Sequence, residues 1–188
     1  MTTLETSRLL IRPWRADEID HMIQLRGNPR VMTHFTGTDS PQRVREFFPK
    51  ILKIQTEYGY AFFPVFEKNS GNFCGFCGIQ PVPFETRFTP AIEIGWSFLP
   101  EFWGKGLATE AASAWLNHAF LRLSLHQIVA FAVRGNIKSH KVMARLNMLR
   151  RPDLDFDHPN ISPGSHPQLV RHLVWSIDRP QCDEQRTK

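Results

Sequence analysis

The chain contains no apolar run approaching the ~20 residues needed to cross a bilayer. Its N-terminus, MTTLETSRLLIRPW, lacks the long apolar core and small-residue cleavage site of a secretory signal. Both absences point to a cytoplasmic protein with no membrane partner. Cysteine is scarce: three residues, an odd number, give no disulfide framework. Cys74 and Cys77 form a CxxC inside NFCGFCGIQPV, which reads as a strand. Residues three apart on a strand face opposite ways, so the pair cannot share a metal or a redox bond. They are expected as two small buried side chains. Excess charge of one sign is also modest, with 23 Lys and Arg against 18 acids, a net charge of +5 and a pI near 9.4. Basic residues concentrate only in 138–151 and in the last dozen positions. No basic stripe with interleaved aromatics marks a nucleic-acid surface, whereas a small polyanionic ligand suits the balance.

What is present is an ordinary globular composition over 188 residues, 41% of them hydrophobic. That length suits one compact domain, expected over residues 1–178, followed by a polar tail at 179–188. Strands are expected at 8–14, 60–66, 72–82, 91–99, 127–133 and 169–177. Helices are expected at 17–26, 41–57, 105–122 and 137–146, the second with Ser40 as N-cap and Pro41 in its first turn. Proline-bracketed PFETRFT forms a loop carrying Phe84 and Phe88, and residues 151–168 form a longer one. No repeat or linker interrupts the order. A strand meander followed by alternating strands and helices predicts a mixed α/β sheet with helices on both faces.

The strand at 91–99 alternates sharply. Ile92, Ile94, Trp96 and Phe98 share one bulky face; Glu93, Gly95 and Ser97 share a small one with room for something other than side chain. A carboxylate on a strand covered by helices is either paired with a buried arginine or set in a cleft. In a cleft its pKa rises towards the range of a general base.

Immediately after comes FWGKGLATE. Gly104 and Gly106 permit close backbone approach, and the helix that follows adds free N–H groups and the positive end of its dipole. Lys105 adds a charge. Such a loop suits a diphosphate. It is neither a P-loop, since Leu107 follows Gly106, nor a dinucleotide fingerprint, since it comes late in the chain and ends at Thr109. Ala108, Ala111, Ala112, Trp115 and Ala119 form the face that packs on the sheet. Further on, Asn136 stands as a helix cap with Ser139 in the first turn. Asp153, Asp155 and Asp157 space like the start of a calcium loop, but His158 stands where glycine is required and Gly164 where the closing glutamate belongs. No metal site is expected.

The order strand, WGKGLATEA helix, then VAFAVRGNIKSHKVMARLNM resembles the GNAT superfamily of acetyl-CoA-dependent N-acetyltransferases. It is most similar to the RimJ/RimL-like branch, from ETSRLLIRPW to RHLVWSI. The resemblance implies acetyl-CoA as cosubstrate and a mostly antiparallel sheet splayed between its fourth and fifth strands. It places the CoA pyrophosphate on the amides of Gly104, Lys105, Gly106, Leu107, Ala108 and Thr109. Trp103 stands where the superfamily carries Gln or Arg, a departure common in this branch. By the same resemblance Asn136 contacts the pantetheine arm, and Ser139 lies near the thioester sulfur as general acid. Phe98 and Leu99 end their strand with free amides, one of them an oxyanion donor. Glu93 is then the general base, through water. Asn147 and Met148 replace the usual Gly and apolar pair, and Asn tolerates the left-handed helix end. The loop at 151–168 covers the acceptor, with His158 as a substrate contact and, more weakly, a second base. Phe35, Phe84, Phe88 and Trp96 are candidate acceptor-pocket residues. The acceptor partner is a primary amine, either a protein or peptide N-terminus or a small molecule such as an antibiotic or polyamine. The loop aromatics favour an apolar or peptide acceptor. A non-catalytic CoA-binding module has no need of Glu93. The protein is expected to act as a monomer or homodimer.

Overall fold

A computed structural model of the protein describes residues 2–180, so the expected polar tail falls outside the described residues from 181 onwards. Nine strands form one sheet: β1 (Leu4–Glu5), β2 (Leu9–Ile11), β3 (Phe62–Glu67), β4 (Phe73–Pro81), β5 (Ile92–Phe98), β6 (Gln127–Val133), β7 (Leu149–Arg150), β8 (Phe156–Asp157) and β9 (Arg171–Asp178). Their spatial order is β1-β2-β3-β4-β5-β6-β9-β7, with β8 beside β9. Every pairing is antiparallel except β5 with β6. The helices are α1 (Ile19–Arg26), α2 (Pro41–Tyr58), α3 (Leu107–Leu121), α4 (Ile137–Arg145) and the single turn α5 (Pro167–Val170).

Local chemistry sets the helix ends. Ser40 accepts a bond from the Arg43 amide at 3.2 Å and Pro41 opens α2, which stops at Gly59 in the left-handed region with φ +76°. Asn147 closes α4 with φ +58°, the conformation its short amide tolerates. Pro13 ends the first long strand early, leaving β2 three residues long.

Helices cover both faces. On one, Trp115 of α3 meets the Phe63 ring at 5.2 Å. On the other, His21 of α1 stacks on Phe73 at 4.5 Å, and Trp14 meets Phe48 of α2 at 5.4 Å. Trp115, Phe48, Phe63, Leu107 and Ile128 are almost wholly buried, each stabilising the fold by ~1.5–3 kcal/mol. Cys74 and Cys77 are buried, and desolvation pushes the Cys74 thiol up to about 11. That leaves it protonated and inert near neutrality.

The decisive irregularity lies at the centre. β5 and β6 pair at one rung, Glu93 opposite Val129. Both strands then run on, to Phe98 and Val133, without further pairing to each other. The sheet is open there, and the N-termini of α3 and α4 flank the gap.

Candidate active site

Glu93 stands at the rung where the sheet begins to part. Its neighbour across β4 is Gln80, whose Nε2 donates to Glu93 Oε1 at 2.8 Å. No arginine pairs with it among the described residues; its polar partner is the neutral Gln80 amide. Desolvation pushes the carboxyl up to about 7, opposed by the bond from Gln80. A carboxylate in that state accepts a proton readily near neutral pH. The small face beside it is not empty, contrary to expectation. A Cβ on Gly95 would lie 2.9 Å from the Phe62 ring, so that ring fills the space.

Leu99 departs from expectation in a second way. Its amide donates to Cys74 O at 2.8 Å and is therefore not free. Alternation along an antiparallel strand turns the Phe98 N–H to the opposite edge, where β6 has left. The Phe98 carbonyl on that edge accepts from Trp103 Nε1 at 2.6 Å. Trp103 is thus anchored on the open edge of β5. Lys138 of α4 lies over its indole at 3.8 Å and Arg30 at 5.3 Å, contacts invisible in the sequence.

The loop between β5 and α3 carries Gly104 at φ +75° and Gly106 at φ +78°, a region costly for any residue with a Cβ. A Cβ at Gly104 would meet no atom within 4 Å, so the glycine leaves open space there. No side chain caps α3, so the amides of Leu107, Ala108 and Thr109 lack intrahelical acceptors. This arrangement fits a diphosphate. Lys105 itself lies over the Phe102 ring at 5.3 Å.

An unpredicted brace holds the loop. Arg8 donates to the Lys105 carbonyl at 2.9 Å and pairs with Glu110 at 2.5 Å. Glu110 also accepts from Thr6 Oγ1 at 2.5 Å and from the Arg8 amide at 3.1 Å. Burial opposes ionisation of Glu110, but these bonds outweigh it and hold the carboxyl below its ordinary range. In a planar trans peptide, a carbonyl turned towards Arg8 turns the next N–H the other way. Arg8 therefore sets the direction of the Gly106 amide.

Across the gap, Asn136 Oδ1 accepts from the Ser139 amide at 3.2 Å, capping α4 and leaving the Ser139 hydroxyl on its first turn. His140 is held between Trp175 Nε1, which donates to its Nδ1 at 3.2 Å, and the Val133 carbonyl at 3.1 Å from Nε2. That fixes the Nε2–H tautomer and the seating of the helix.

The profile of the Acetyltransferase (GNAT) domain family matches residues 8–149. The chain is a GNAT acetyltransferase. The uncharacterized N-acetyltransferase YnaD of Bacillus subtilis is 30% identical over 149 residues, covering 78% of this chain and 82% of YnaD. Two solved structures share the fold at low identity. RimL, a ribosomal L7/L12 alpha-N-protein acetyltransferase in complex with coenzyme A, aligns with a TM-score of 0.74 at 15% identity, over 94% of this chain and 98% of its own. Spermidine N-acetyltransferase from Vibrio cholerae, in complex with CoA and spermine, aligns with a TM-score of 0.71 at 18% identity, over 93% and 97%.

In this acetyltransferase the expected acceptor residues divide. Phe84, Phe88 and His158 come together, joined by Phe131, Phe156 and His172, which sequence reasoning missed. Trp96 does not join them. Period two puts it on the opposite face from Glu93, packed against the core beneath α3. Phe35 stands apart and 43% exposed, with Arg26 at 5.1 Å over its ring. Burial and the neighbouring His172 push His158 down to about 4, and its Nδ1 already accepts from the Asn160 amide at 3.2 Å. His158 is therefore a neutral wall residue near pH 7. Among the described residues, no group of three metal-ligating side chains forms.

Proposed function

We propose that the chain transfers the acetyl group of acetyl-CoA directly to a primary amine, with Glu93 as the general base. The observation that carries this reading is the isolated carboxyl, pKa about 7, at the rung where β5 and β6 part. Acetyl-CoA supplies an acyl group activated as a thioester. The uncapped start of α3 and the glycine loop hold its diphosphate, and the Phe98 amide faces the acyl oxygen. The amine nitrogen forms a bond to the acyl carbon while the C–S bond breaks. Glu93 takes the proton from nitrogen, and the sulfur leaves as a thiol, protonated with help from Ser139. A protein or peptide N-terminus, pKa about 8, demands less of such a base than a lysine near 10.4. That fit, the WGKGLATE loop of the RimJ/RimL-like branch and the fold shared with RimL favour an N-terminal amine. The fold shared with the spermidine enzyme keeps a small amine as the second reading.

The test is the pH profile of thiol release. With Glu93 as base, kcat/KM rises with pH and bends near 7. Glu93→Gln lowers the rate by about 10²–10⁴-fold and removes that bend. An unchanged rate and profile in the variant would sink the assignment.

A further inference from the structure

RimL and the spermidine enzyme take very different acceptors, and the Glu93 face of the sheet distinguishes between them. Val129 is the rung partner of Glu93, so Val129, Phe131 and Val133 share its face. There Phe131 meets Phe84 at 6.0 Å and Phe88 at 6.3 Å from the β4–β5 connection, and Phe156 of β8 at 5.3 Å. His158 lies 4.7 Å from Phe84 and 5.0 Å from His172 of β9. The connection begins at the very next rung after Gln80–Glu93, where Pro81 faces Ile92. All six rings are half-buried. A closed satellite core would hide them completely; these keep a surface to offer.

Charge on this wall is already matched. Asp155 is bonded to Arg150 and to the Val174 amide, and Asp157 pairs with Arg171 at 3.2 Å. In the loop, exposed Glu85 and Arg87 alternate with the half-buried Phe84 and Phe88, one of each sign. Both histidines are neutral at pH 7, because burial lowers each of them. A polyamine must shed the hydration of several ammonium groups, and phenyl faces replace it poorly without carboxylates.

We propose that this aromatic wall selects a primary amine whose neighbouring group is bulky and apolar, aromatic above all, and discriminates against polyamines. The inference rests on Glu93 being the base of the transfer reaction. A phenyl group seated on the wall raises kcat/KM by at least about tenfold over hydrogen at the same position.

The experiment measures thiol release from saturating acetyl-CoA with phenylalanine amide, leucine amide, glycine amide and spermidine. The three amino-acid amides carry similar α-amines, so their differences report the side group. Phenylalanine amide is expected to exceed glycine amide by about tenfold or more, with spermidine slowest. Phe131→Ala and, separately, Phe84→Ala should each collapse the phenylalanine-to-glycine ratio. The two positions lie on different segments, so a folding defect in one does not remove the other. A ratio near one, a preference for spermidine, or a ratio that survives both substitutions overturns the inference while leaving the transferase reading intact. Turnover of none of the amines overturns the inference, while the transferase reading stands or falls on thiol release with a peptide N-terminus and its loss in Glu93→Gln.

Discussion

Glu93 is held in a state that chemistry favours and stability does not. Its carboxyl ionises near 7 in the fold and near 4.5 when unfolded, because burial disfavours the charge. Between those values the unfolded chain releases the proton first, so rising pH draws the equilibrium towards unfolding. The stability that the neutral carboxyl provides is complete below pH 4.5 and lost as pH rises through about 7. Glu93→Gln keeps the shape and the Gln80 contact while removing the charge. It should therefore raise the Tm at pH 8 and leave it unchanged at pH 4, read by thermal melts at both. An equal shift at the two pH values would mean the carboxyl carries no such penalty. The position of this residue was legible because strict alternation isolates one acid among Ile92, Ile94 and Gly95. Its partner was not, since nothing local says that Gln80 of another strand lies opposite.

At the scale of elements, the loop before α3 is a backbone device, and Arg8 sets it from 97 residues away in sequence. The guanidinium fork spans the Lys105 carbonyl and Glu110, a geometry that lysine cannot copy. Arg8 is about half exposed, so the brace is worth only ~1 kcal/mol after solvent screening. Arg8→Ala should raise the KM for acetyl-CoA about fivefold with kcat little changed, and Arg8→Lys should recover only part of it. Steady-state kinetics in acetyl-CoA checks this; a fall confined to kcat would place Arg8 elsewhere in the cycle. Helix boundaries were readable within a residue or two where caps exist, as at Ser40 and Asn136. The expected helix at 105–122 begins later, at Leu107, because Gly106 is left-handed and serves as its N-cap.

Across the whole molecule, the aromatic wall ties the β4–β5 connection, β6, β8 and β9 together with neutral histidines among its rings. Free histidine binds a proton at about 6.5, but His158 does so only at about 4, because burial and His172 oppose the charge. Below 6.5 the unfolded chain therefore binds more protons than the folded one. This share of stability is complete above 6.5 and lost as pH falls towards 4. Urea unfolding between those limits should show the wild type losing stability more steeply than His158→Asn. Parallel curves would show that the histidine titrates freely.

What the sequence determined by itself is local: alternation along β5, the two glycines and the caps of α2 and α4. These depend on residues within a few positions of one another, where steric rules and hydrogen-bonding capacity act without help. The motif order carried the family resemblance, and with it the expected splay. Tertiary structure decided which distant groups meet: Gln80 with Glu93, Arg8 with the Lys105 carbonyl, Lys138 and Arg30 on Trp103, and Phe131 with Phe84. It also closed the Leu99 amide onto Cys74. Such contacts follow from strand register and the crossing of separate segments, and a one-residue slip in register would exchange every one of those faces.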